Sequence, residues 1–153
     1  MCFNMSHNYY ATIYTSNVNN AGTDDDVYIQ LIGTQGTEGD WYLDYDTNND
    51  FEQGYIDTYI LEAQKYIGPI KEILLYVKPT NKKSPDWRVD FIDIFTIYNG
   101  ELSSQRFNVN TWIKSSDDNE NYYLIDQYST KSNNKTKVSS TTKVNKYGHG
   151  YKR

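Results

Sequence analysis

The amino-acid sequence predicts an all-β protein folded as an antiparallel sandwich. Three observations carry this. Tyrosine alone supplies 16 of 153 residues, and Tyr, Ile, Val, Thr and Trp favour pleated, half-buried surfaces. Short apolar runs recur at about 8–12-residue spacing with Gly, Asn, Asp or Pro between them, as a sandwich requires. No segment carries helical periodicity, and no internal repeat is visible.

In chain order, Tyr9-Tyr10-Ala11-Thr12-Ile13-Tyr14-Thr15 reads as the first strand. An Asn/Gly-rich turn follows over residues 17–25, then a second strand from Val27 to Ile32. Trp41-Tyr42-Leu43 is a short third strand before the polar loop Asp44–Asp50, with Phe51 as a plug beneath that loop. Asp57 to Leu61 is the fourth strand, and Gly68-Pro69 stops the connection after it. Lys71–Lys78 is the fifth. A helix is its rival, but the run is short and alternates, so strand is preferred. Pro79 ends it.

Trp87–Tyr98 is the longest β signal. Arg88 and Asp90 mark one face while Asp93 falls out of phase, so a bulge is expected near Phe91-Ile92. Asn99-Gly100 is a two-residue hairpin turn, Glu101–Val109 pairs back, Trp112-Ile113 follow, and Tyr122–Ile125 adds a last strand. Trp41 and Trp112 are read as core. The sandwich domain spans residues 9–126. The remainder, 127–153, is rich in Ser, Thr, Asn and Lys and poor in apolar side chains, so it is expected to be disordered.

Charge is distributed unevenly. Residues 1–126 hold all 20 acids against 8 basic residues, a charge of −12. Residues 127–153 hold 7 basic residues and no acid. An acidic body with a basic tail suits a partner of mixed or switchable charge. Nothing in the tail's pattern points to a specific nucleic acid.

The single cysteine, Cys2, permits no internal disulfide, and the N-terminus lacks the basic start and apolar run of a signal peptide. The expected setting is cytoplasmic and reducing, with at most peripheral attachment to a membrane. No apolar window approaches the ~18 residues a spanning helix needs. Catalysis finds little footing: His7 and His149 lie near the termini in segments expected to be mobile, Cys2 is terminal with no oriented partner, and there is no phosphate-cradling glycine loop. The expectation is a non-enzyme and a monomer.

The chemistry sits in the acidic turns. Asp24-Asp25-Asp26, the 44–50 loop and Ser84-Pro85-Asp86-Trp87 are separate in sequence. Three adjacent carboxylates cannot all enter a core unneutralised. They are either solvated, the plain reading of any acidic surface loop, or held together by a cation. Calcium takes 6–8 oxygens from carboxylates, amides and carbonyls. Asp24, Asp44, Asp46, Asn48, Asp50 and Asp86 could supply these, with carbonyls near Gly22 and Trp87.

Five motifs in order resemble the PLAT domain of the polycystin, lipoxygenase and alpha-toxin family. They are Ala21-Gly22-Thr23-Asp24, Trp41-x-Leu43-Asp44, Asn49-Asp50-Phe51-Glu52-x-Gly54-x-x-Asp57-Thr58-Tyr59, Pro85-Asp86-Trp87 and Trp112-Ile113. The resemblance implies an eight-stranded antiparallel β-sandwich of two four-stranded sheets. It also implies calcium-assisted attachment to membrane lipid, or docking on a protein partner with structural calcium or none. Carried across by position, the calcium ligands are Gly22, Thr23, Asp24, Asp44, Asn49, Asp50, Asp86 and the carbonyl of Trp87. Asn20 stands where the family often has an acid, Asn48 where it has glycine, and Gln53 where it often has arginine, so one or two sites of modest affinity are expected. Asp25 and Asp26 are expected to be solvated or paired with lysine. Lys82, Lys83 and the Trp87 ring are the candidate membrane contacts to anionic lipid. The rival for Trp87 is a place in the core.

Overall fold

The protein is described from a computed structural model covering residues 6–44, 50–80, 86–115, 122–133 and 147–150. Among the described residues ten strands follow in chain order: β1 (His7–Thr15), β2 (Asp26–Gly33), β3 (Gly36–Asp44), β4 (Ile56–Ala63), β5 (Ile70–Lys78), β6 (Trp87–Tyr98), β7 (Glu101–Ile113), β8 (Tyr122–Ile125), β9 (Thr130–Asn133) and β10 (Tyr147–Gly150). Among the described residues there is no helix.

The chain forms two antiparallel sheets, β7-β6-β1-β4 and β3-β2-β5-β8-β9, packed face to face. The four short strands expected of the second sheet are joined by β9. A tenth strand, β10, lies between β4 and β3 and links the sheets along one side. It runs antiparallel to β4 and parallel to β3. Both β9 and β10 fall in the segment expected to be structureless. Composition missed them because neither strand is specified by its own residues. β9 is started by a turn in which the Asp126 carboxylate accepts the N–H groups of Tyr128 and Ser129, both at 2.8 Å. β10 is templated by edges on both sides.

Alternation sets the core. Ile13, Ile29, Leu31, Trp41, Tyr59, Leu61, Trp87, Ile92 and Phe107 are all fully buried between the sheets. Each such side chain contributes about 1.5–3 kcal/mol relative to exposure. Lys71–Lys78 is indeed strand: Leu74 and Tyr76 alternate with Ile73, Leu75 and Val77 across a central position. The slip in β6 is present. Trp87 and Val89 point inward, then Ile92 and Ile94, with the register jump between Val89 and Phe91. It centres on Asp90, a residue or so earlier than the charge pattern suggested. The Asn99-Gly100 turn has φ of 51° and 77°, the left-handed pair a two-residue hairpin demands.

Two core assignments come out differently. Trp41 is buried, but Trp112 is 39% exposed, because its register partner is the outward-facing Arg88. Trp87 is fully buried. Its indole Nε1–H donates to Thr15 Oγ1 at 3.0 Å, and its ring meets Phe51 edge-on at 4.9 Å. The Trp87 side chain is therefore core, and the expectation of a membrane contact there is corrected. The third strand is also longer than Trp41-Tyr42-Leu43. Its first half, Gly36-Thr37-Glu38-Gly39-Asp40, has no apolar alternation. It is held by Glu38, a buried carboxylate that accepts the N–H groups of Gln64 and Lys65 at 3.1 and 3.3 Å.

Candidate functional site: an acidic rim at one end of the sandwich

Three connections gather at one end. Residues 16–25, 50–55, 79–80 and 86 lie at the mouths of β1–β2, β3–β4 and β5–β6. Backbone bonds tie them. Thr23 N–H donates to the Phe51 carbonyl at 3.0 Å, and Arg88 N–H donates to the Ala21 carbonyl at 2.9 Å. The first contact explains Gly22. A Cβ there would stand 2.8 Å from the Phe51 oxygen, so only glycine lets the two loops approach this closely.

The carboxylates then take different parts. Asp25, buried, accepts Thr80 N–H at 3.1 Å and so ties the first loop to the third, while its own N–H donates to Thr23 Oγ1 at 3.1 Å. Asp26 accepts the Tyr42 hydroxyl at 3.0 Å. Burial, reinforced by that bond to the Asp26 carboxylate, pushes the Tyr42 hydroxyl's pKa well above its usual value. Asp25 and Asp26 are therefore not simply solvated: one holds Thr80 and the other the Tyr42 hydroxyl. Asp50 accepts the Tyr59 hydroxyl at 2.7 Å. Asp57, buried, accepts Phe51 N–H at 3.0 Å, a structural role.

An open cavity of about 350 Å³ lies among them, lined by Thr23, Asp24, Asp25, Asp26, Tyr42, Leu43, Asp44, Asp50 and Phe51. Five of these nine are carboxylates and none is basic. Of the sequence-predicted ligands, the structure brings Thr23, Asp24, Asp44 and Asp50 to the cavity wall. Gly22, Asp86 and Trp87 stand nearby without lining it. Asp46, Asn48 and Asn49, together with Lys82 and Lys83, lie outside the described residues. Among the described residues, no three acidic, histidine or cysteine side chains converge closely enough to hold a metal as they stand. The donor set nevertheless fits a hard cation, because every polar side chain that the described residues place on the wall presents oxygen, and five of them are carboxylates. A cation there would draw the carboxylates inward.

The sequence reading missed Tyr42 and Thr80. Tyr42 was accessible from alternation: Trp41 and Leu43 face the core, so Tyr42 and Asp44 share the other face. Nothing local marked Thr80.

The arrangement defines a class: a β-sandwich module with acidic loops clustered at one end. A family model for the PLAT/LH2 domain matches residues 9–125, and the chain belongs to that family. It is 42% identical over 89 residues to lipoxygenase homology domain-containing protein 1 of Mus musculus, covering 57% of this chain and 4% of that protein. It is 36% identical over 115 residues to phospholipase C of Clostridium novyi, covering 73% of this chain and 27% of the enzyme. Among solved structures, a calcium-dependent 11R-lipoxygenase superposes with a TM-score of 0.62 at 28% identity, over 78% of this chain and 17% of that one. Coral 8R-lipoxygenase, whose calcium activation is assigned to a C2-like domain, shares the fold with a TM-score of 0.65 at 24% identity, over 78% of this chain and 16% of that one. The chain thus spans a small part of each relative's length.

Proposed function

We propose that this module binds calcium at the acidic rim and then attaches peripherally to anionic lipid, without catalysing a reaction itself. The observation that carries the reading is the cavity wall, where the described residues include five aspartates and no basic side chain. Asp24, Asp44 and Asp50 would supply charged oxygens from the wall. Gly22, Thr23, Asn49, Asp86 and the carbonyl of Trp87 complete the proposed set, from loops bound to the same end. Without a cation the rim repels an anionic surface. Bound calcium inverts the local field and can bridge to lipid phosphate. Lys82 and Lys83 add about 1 kcal/mol each near such a surface. The proposed membrane is the cytoplasmic leaflet, where anionic lipids are concentrated.

A second reading, docking on a protein partner, has its own observation. Ile97 and Leu102 are directly opposed across the β6–β7 hairpin and are 60% and 69% exposed, at the end remote from the acidic rim. Co-sedimentation with phosphatidylserine vesicles separates the two. Pelleting in calcium and release by chelator supports the lipid module. Equal recovery in both supernatants rejects it in favour of the adaptor.

A further inference from the structure

β10 occupies an unusual position. β3 and β4 are consecutive in sequence but are not paired with each other, and β10 lies between them. Tyr147, Gly148 and His149 register with Tyr42, Leu43 and Asp44 of β3, while His149 and Gly150 register with Ile60 and Tyr59 of β4. Tyr-Gly-His-Gly has poor intrinsic strand preference. Its extended form therefore depends on the two edges that receive it, as in recognition by strand addition. The neighbours it registers against also frame the cavity. Tyr42 and Asp44 line it, Tyr42 holds Asp26, and Tyr59 holds Asp50. In sequence, Lys146 directly precedes β10 and Lys152-Arg153 follow shortly after, in a stretch without acids.

We propose that the β3–β4 seam is a strand-docking slot, filled by the chain's own residues 147–150, and that a docked strand and a rim cation oppose each other. The second clause rests on the calcium reading above; the first does not. Attachment to the same chain raises the segment's effective concentration, so the slot is filled without a partner. Asp44 is both a wall carboxylate and the register partner of His149, so a cation that draws Asp44 inward works against its pairing with β10. Linkage then requires that calcium weaken strand docking by the factor by which docking weakens calcium.

The test uses the full chain and the double variant Gly148→Pro/Gly150→Pro, which removes two strand N–H donors. Amide exchange at Tyr42–Asp44 and Tyr59–Ile60 should quicken at least about tenfold in the variant, while Ile92 and Phe107 keep their protection and report an intact core. Unchanged exchange at those β3 and β4 positions overturns the slot. Calorimetric titration with calcium should give the variant about fivefold tighter binding, at the low end of ordinary coupling, and calcium should speed exchange in the unaltered protein beyond a sodium chloride control. Equal affinities overturn the opposition. If neither protein gives calcium heat, the cation reading and the opposition both fail, and exchange alone decides the slot.

Discussion

The two ends of the sandwich solve the same problem differently. At the end remote from the acidic rim, the connection between β4 and β5 is fastened by neutral or singly charged side chains that satisfy backbone groups. Gln105 accepts Ile70 N–H and donates to the Ile70 carbonyl, both at 2.7 Å. The Tyr9 hydroxyl accepts Ile67 N–H at 2.9 Å, and burial raises its pKa to about 12. Beside it Tyr66 stacks on Tyr98, and His7 meets Tyr66 edge-on. At the acidic end, the loops are also tied, through Thr23–Phe51 and Asp25–Thr80, but five carboxylates face one cavity. The remote end uses each polar group for structure. At the acidic end, five carboxylates of the described residues share one wall, and clustered charge of one sign is what a ligand of the opposite sign would select.

The largest expected effect tests the floor of the acidic end. Trp87→Ala removes a fully buried ring and its bond to Thr15, and should cost about 3–5 kcal/mol in urea unfolding. Next, Gln105→Ala at the remote end strips both partners from Ile70 and should cost about 1–3 kcal/mol. Calcium affinity should not change; a loss of affinity would show that the two ends are not separable. Gly22→Ala should cost about 1–3 kcal/mol, because the new methyl forces apart the backbones it separates. Unlike Gln105→Ala, it should also weaken calcium binding.

Asp24→Asn with Asp50→Asn reverses the pattern. Without calcium, stability should rise by about a few tenths of a kcal/mol as like charges are relieved, since the amide oxygen that replaces the Asp50 carboxylate can still accept from Tyr59. The calcium-induced rise in Tm should shrink; an undiminished rise would remove these residues from the site. The smallest effect concerns His7. Thr96 donates to the Asn8 carbonyl, so His7 Nε2 donates to Thr96 Oγ1, at 2.7 Å. Burial lowers the His7 pKa from its ordinary 6.5. The folded protein therefore holds that proton less tightly than the unfolded chain. The stability tied to neutral His7 is complete above the ordinary value and is lost as pH falls through the lowered one. His7→Gln should flatten the Tm decline between about pH 7 and pH 5; an unaltered slope would put the sensitivity elsewhere.

Much of this was legible in the residues. Alternation gave β1, β2, β4, β5 and β6, and Asn99-Gly100 gave the β6–β7 hairpin. The out-of-phase Asp93 gave the bulge. Local pattern failed where tertiary partners decide. Glu38 belongs to a strand because its backbone pairs with Leu31 of β2, and its carboxylate can be buried there because Gln64 and Lys65 present N–H groups to it. β10 is a strand because two edges receive it. The gathering of Thr23, Asp24, Asp44 and Asp50 at one cavity was implied by the family's motif order. Asp25 was misjudged because its partner Thr80 is 55 residues away and carries no sequence mark.

Phe51 lies against Trp87, and the same short segment carries Asp50 at its start and receives the Asp57 bond. Any inward pull on Asp50 must therefore alter the surroundings of one enclosed indole. Of the three tryptophans, Trp112 alone is substantially open to solvent, so iodide can quench its emission and leave the other two as the signal. The molecule carries its own optical gauge of the rim. Titration with calcium in the presence of iodide can be read as a change in the emission of Trp87, with Trp41 as a steady background.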